Sequence, residues 1–140
     1  MLKTLAAVAA LVLVPTIASA ETRTFECEVT RVTPAEGNDH NPVVNTTITN
    51  IYQGNRFTGF RVEHELADGR TVVRQEQYRD QRIAVGNKMV QWTGVSVKLP
   101  GLRMTGTFSE NRNGDLFYVE QLSRNGRVET TIVHTCERTA

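Results

Sequence analysis

From residue 22 onward the chain alternates apolar and polar positions in short runs, the period-two signature of strands with one buried and one wet face. In residues 22–32, Phe25, Cys27 and Val29 share one face, while Glu26, Glu28 and Thr30 share the other. The same alternation predicts strands over 43–52, 57–66, 71–78, 83–85 and 88–99, and on either side of two later turns, Asn113-Gly114 and Asn125-Gly126. Asn-Gly is the strongest short hairpin signal, because both central residues of a type I′ turn need φ > 0. Gly54-Asn55, Asp68-Gly69, Gly86-Asn87 and Pro100-Gly101 supply the remaining reversals. No helical period competes with this pattern after residue 20.

The turns imply registers. A two-residue turn at Asn125-Gly126 pairs Gln121 with Thr130, Val119 with Ile132 and Phe117 with His134. Asn113-Gly114 then sets Phe108 opposite Val119, and Pro100-Gly101 sets Val97 opposite Met104. Across Asp68-Gly69, His64 faces Val73 and Val62 faces Gln75, with Glu63–Arg74 and Arg61–Glu76 as charge pairs on the wet side. The strand over 88–99 changes phase at Thr93-Gly94, which predicts a bulge that turns both Trp92 and Val95 inward.

Eight or nine short strands joined by tight turns form a meander, and closing a meander removes its two exposed edges. Cys27 and Cys136, the only cysteines, lie in the first and last strands, which closure makes neighbours. The expectation is therefore a small up-and-down antiparallel β-barrel with a Cys27–Cys136 disulfide, the alternative being a two-sheet β-sandwich. In outline the barrel is similar to lipocalin-like barrels. That likeness is one of architecture, since the Gly-x-Trp near the first strand is absent and Trp92 is central, preceded by Met89-Val90-Gln91.

The first twenty residues change the picture of where this domain works. Lys3, the apolar run 5–14 and Ala18-Ser19-Ala20 read as a secretory signal peptide, leaving 21–140 as a single domain. Its apolar run is about ten residues against the roughly twenty that span a bilayer, so no transmembrane segment is expected in the mature chain. A secreted protein is implied, with the bacterial periplasm as the compartment. Lys3 is the only charged residue lost with that segment, so the domain carries fifteen basic and fifteen acidic residues. Without a basic excess or stripe, nucleic acid is not an expected partner. Residues 33–42, with two prolines and Asn38-Asp39-His40-Asn41, read as a solvated loop.

Candidate chemistry is sparse. Gly-x-Ser-x-Gly, Ser-x-x-Lys and His-Glu-x-x-His are all missing, and two inward histidines are too few for a zinc site. No catalytic residues, metal or cofactor are predicted, and the chain is expected not to be an enzyme. The predicted registers do put polar groups among the inward apolar ones. The set His64, Gln75, Trp92, Phe117, Gln121 and His134 is the candidate lining of a cavity for a small amphipathic ligand. The alternative is an interaction module, an inhibitor or envelope accessory protein that meets an envelope protein through its outer surface. A monomer is expected in either case.

Overall fold

The computed structural model describes residues 20–33, 43–53 and 56–140, with backbone alone at 20, 51–53 and 56–58. The predicted signal segment up to residue 19, most of the 33–42 loop and the Gly54-Asn55 turn lie outside the described residues. The strands are β1 (Ala20–Thr33), β2 (Val43–Gln53), β3 (Arg56–Leu66), β4 (Thr71–Val73), β5 (Tyr78–Gly86), β6 (Met89–Ser96), β7 (Leu102–Glu110), β8 (Leu116–Arg124) and β9 (Arg127–Arg138). A 3₁₀ turn, Arg74–Gln77, separates β4 from β5.

All nine strands belong to one antiparallel sheet in the order β4-β3-β2-β1-β9-β8-β7-β6-β5. The first and last strands thus sit side by side in the middle of the sheet, and its two edge strands are consecutive in the sequence. The predicted neighbourhood of first and last strands holds: Cys27 pairs directly with Cys136 across β1 and β9 and the two form a disulfide, Cα to Cα 4.0 Å. The predicted closure does not. No ladder joins β4 to β5, so the sheet is a curled, open half-barrel, neither a closed barrel nor a two-sheet sandwich.

What opens it is the segment after Asp68-Gly69. Instead of a strand through Tyr78, the chain pairs only Thr71, Val72 and Val73 with β3 and then turns. The register is also one residue from the predicted one, with His64 opposite Val72 and Glu63 opposite Val73. Gln75 replaces the missing ladder with its side chain. Its Nε2 donates to the Phe60 carbonyl and its Oε1 accepts from the Val62 N–H, both at 3.1 Å, so an amide side chain pairs with β3 as a peptide group would. Arg61 and Glu63 pair with each other on the outer face rather than with Glu76 and Arg74.

A second correction concerns β8. The Asn125-Gly126 turn is as predicted, with φ of 52° and 79° and Arg124 opposite Arg127. Two residues later β9 bulges: Ser123 pairs with Val128 but Leu122 with Thr130, leaving Glu129 extra. Every β8 residue beyond that point faces the other way from the predicted register. Tyr118 and Glu120 point to the core, with Phe117, Val119 and Gln121 on the outer face. Phe108 pairs with Tyr118, not Val119. The predicted bulge at Thr93-Gly94 is absent: β6 runs regularly from Met89 to Val95 against β7, so Trp92 faces inward and Val95 does not. The two-residue turn before β6 is Asn87-Lys88 rather than Gly86-Asn87, and Val97 and Leu99 belong to a longer exposed connection that still ends on a turn at Gly101.

The curl shows in contacts between strands that are not neighbours. Phe60 on β3 meets Tyr118 on β8 edge to face at 6.0 Å. Along the middle of the concave face Trp92, Tyr118, Met104, Ile48 and Val62 are all buried, each 1 % exposed or less. Gly106 makes room for this packing, since a Cβ there would run into the Trp92 indole nitrogen and the Tyr118 hydroxyl. Burial of these large side chains, each worth about 1.5–3 kcal/mol, is what holds the curl.

Candidate functional site

At one mouth of the half-barrel lies a cavity of about 420 Å³. Val29 and Val32 from β1, Val43 from β2, and Leu122 and Ile132 from β8 and β9 are among its apolar walls, and His64, Arg70, Arg74, Gln77, Glu120 and His134 contribute its polar lining. A second cavity, about 500 Å³, occupies the opposite mouth, among Phe25, Val85, Val90, Phe108 and Leu116. The packed middle of the concave face separates them.

Glu120 organises the polar lining. It is 1 % exposed, and four hydrogen bonds converge on its carboxylate. Arg74 donates Nε to Oε2 and Nη2 to Oε1, each 2.9 Å, a bidentate clasp. The Tyr118 hydroxyl donates to Oε2 at 2.9 Å, and His64 Nε2 lies 3.1 Å from the same oxygen. Burial by itself would push the Glu120 carboxyl up, but the Arg74 guanidinium and then His64 outweigh it, holding the group well below the usual carboxylate range. Burial would lower the Arg74 guanidinium, yet Glu120 keeps it above its ordinary value. Burial and the neighbouring carboxylate both raise the Tyr118 phenol. The network extends outward from there. Trp92 Nε1 donates to the Tyr118 hydroxyl at 3.3 Å, and Thr46 Oγ1 lies 2.8 Å from His64 Nδ1.

His134 stands apart from the network. Its ring stacks on His64 at 5.9 Å with a 20° interplanar angle, and Nδ1 donates to the Tyr118 carbonyl at 3.0 Å. That bond leaves the lone pair on Nε2, which is buried and has no hydrogen-bond partner among the described residues. Burial lowers the His134 imidazole from its ordinary 6.5, which keeps the ring neutral.

Of the six side chains predicted to line a cavity, His64 and His134 do so. Trp92 is in the packed middle, and Gln75 is spent on the β3 edge. Phe117 and Gln121 are carried to the outer face by the Glu129 bulge. The residues the sequence reading missed are Arg74, Glu120, Tyr118 and Thr46. One signal for β8 was present: Leu116, Tyr118 and Leu122 put three large apolar residues on the Glu120 parity, against two on the other. Nothing local pointed to Arg74, 46 positions from its carboxylate.

Among the described residues no group of three or more histidine, cysteine or acidic side chains is placed to hold a metal ion, and no helix is long and apolar enough to cross a membrane. No protein-family model, curated protein or solved structure matches this chain. The structure supports a small disulfide-tied β-sheet domain with surfaces and cavities suited to an interaction.

Proposed function

We propose that the chain is an exported binding module whose partner is a protein, taken up as an extended segment along the free edge of β5. The observation that carries this reading is that β5 has a neighbour on one side only and displays Ile83 and Val85, 50 % and 58 % exposed, beside Trp92 and Val90. An unpaired edge offers its N–H and C=O groups to an added strand, while adjoining pockets select alternate side chains. The opposite edge offers little, because β4 is three residues long and Gln75 occupies β3 beyond it. Next to β5, the 500 Å³ cavity presents Phe25, Val85 and Phe108 to such side chains. Arg82 and Lys88 make no ion pair among the described residues, so the fitting segment alternates apolar residues with Asp or Glu.

An interaction through the outside has more support than a ligand carried within a barrel, since the sheet stays open and its middle is filled. The leader-like first twenty residues and the disulfide support export to an oxidising compartment. A binding rather than a catalytic role is supported by Glu120, whose oxygens are committed to Arg74, His64 and Tyr118.

The test is selection of short peptides from a display library against the folded chain, followed by titration into an Ile83→Glu/Val85→Glu variant. Both positions are exposed, so the variant keeps the wild-type melting temperature. Enriched peptides alternate apolar and acidic residues and lose binding to the variant. Peptides that bind the variant as well as the parent, or no enrichment at all, overturn the reading.

A further inference from the structure

We infer that the 420 Å³ cavity at the other mouth is a binding site for a small amphipathic carboxylate, with its apolar body inside and its head on the donors of Arg70, Arg74 and Gln77. Val29, Val32, Val43, Leu66, Val72, Leu122 and Ile132 come from six strands, and all seven are only half-buried, which leaves hydrocarbon for a ligand to cover. A volume near 420 Å³ falls within the range of small-molecule sites, about 300–1,000 Å³.

Accessibility sorts the polar lining. Glu120, His64 and His134 are each 1 % exposed or less, so their acceptor atoms present next to no surface to a ligand. What the mouth offers is donors. The side chains of Arg70 and Arg74 are 63 % and 16 % exposed, and Gln77 is exposed. Gln77 Oε1 accepts from Arg74 Nη1 at 3.2 Å, so the other end of that amide, the Nε2 donor, is left for a ligand. A polar group bound here must therefore be an acceptor.

Arg70 sets its charge. Arg74 is neutralised by the Glu120 carboxylate through two bonds of 2.9 Å. Arg70 donates Nε to Asp68 Oδ2 at 2.8 Å, but Asp68 lies outside the cavity lining and the pair stands in water, where such pairs are weak. A guanidinium carries five donors, so Arg70 can take a second carboxylate at the rim while the ligand's body enters the apolar part.

The donors are held in place before any ligand arrives, which lowers the ordering cost of binding. The Arg70 carbonyl accepts from the Leu66 N–H at 2.8 Å and its own N–H donates to Asp68 at 3.0 Å, fixing it in the turn between β3 and β4. Arg74 is clasped by Glu120, and the Gln77 carbonyl accepts from the Val97 N–H at 3.2 Å. The 3₁₀ turn that interrupts the sheet thus supplies two of the three donors. The site lies at the opposite mouth from the β5 edge and does not depend on the partner proposed there.

The experiment uses octanoate as probe, with 1-octanol and octylammonium as its neutral and cationic counterparts. Binding to the full chain at neutral pH is followed by calorimetry and by ¹⁵N NMR of the Arg70 Nε and Gln77 Nε2 groups. The expected result is a shift of both groups on adding octanoate, with binding about tenfold weaker for octanol and weaker still for octylammonium. Arg70→Met keeps the backbone bonds of the turn and removes the preference for octanoate over octanol. Leu122→Trp fills the cavity from its apolar wall, leaves Arg70 in place and blocks octanoate, which separates a seated ligand from one held by surface charge alone. Equal affinity for octanoate and octanol, octanoate binding unchanged in either variant, shifts confined to the opposite mouth, or no binding of any probe would overturn it.

Discussion

Arg74 and Glu120 lie 46 positions apart and meet through two hydrogen bonds of 2.9 Å, the carboxylate 1 % exposed and the guanidinium 16 %. One comes from the 3₁₀ turn and the other from β8, so this pair ties the turn that interrupts the sheet to the centre of its concave face. Removing one partner strands a buried charge, whereas removing both leaves a neutral site. Arg74→Met should therefore lower unfolding stability by about 3–5 kcal/mol, and adding Glu120→Gln should restore a substantial part of that loss. Urea denaturation of the two variants and the parent checks it. A single-variant loss under about 1 kcal/mol would mean the pair behaves as an exposed one.

Acid should unfold the domain through the same carboxyl. Glu120 is held well below its ordinary value of 4.5 in the folded chain, with burial opposed and outweighed by Arg74 and His64. The unfolded chain therefore takes up this proton first as pH falls. The stabilisation is fully present above pH 4.5 and drains away as pH drops from there toward the folded value. His134, lowered from 6.5 by burial, adds an earlier loss that begins below pH 6.5, because the unfolded imidazole protonates while the folded one resists. Stability measured against pH should show both losses in the parent, and Glu120→Gln should remove only the lower one.

Gly106 is a position where size decides. A Cβ there would run into the Trp92 indole nitrogen and lie 2.5 Å from the Tyr118 hydroxyl oxygen. Gly106→Ala should destabilise by about 1–3 kcal/mol despite the better strand propensity of alanine, and should change the Trp92 fluorescence. Gly94→Ala should act in the same direction, its Cβ meeting the Tyr78 Cβ at 2.7 Å. Thermal melts with fluorescence detection distinguish these from a neutral surface change.

The bulge in β9 gives a test by deletion. Ser123 pairs with Val128 and Leu122 with Thr130, so removing Glu129 leaves both pairs in register and makes the ladder regular. Its expected cost is limited to the exposed Arg124–Glu129 ion pair, about 0.2–1 kcal/mol. Deleting Glu129 and Thr131 together instead turns His134 and Cys136 to the opposite face and should prevent the disulfide. Urea midpoints and a thiol count on the two proteins check the contrast.

Much of the frame was readable because it rests on local rules. The Asn125-Gly126 turn, the alternation of Phe25, Cys27 and Val29, and the pairing of Cys27 with Cys136 each follow from a few adjacent residues or from having two cysteines alone. Closure was not readable, because the 3₁₀ turn at Arg74–Gln77 depends on a distant carboxylate and on an amide side chain substituting for a backbone group. The face of β8 was misread for a narrower reason. No glycine or proline marks Glu129, so nothing local announces an extra residue, and one residue inverts every side chain beyond it. His64 and His134 were found because their strands keep parity up to the site. Glu120 and Tyr118 were lost with the parity of theirs.

The disulfide at the middle of the sheet bears on how the domain responds to pulling. Tension applied between Glu21 and Ala140 reaches Cys27 and Cys136 after only a few residues on either side, and passes from one to the other through a covalent bond. The span between the two cysteines, which lie 109 positions apart, carries none of that load, and the β5 edge lies within it. Under force the oxidised domain peels only at its outermost residues, beginning with the Thr24–Ala140 and Thr24–Thr139 backbone bonds, while the reduced domain opens along the whole β1–β9 seam.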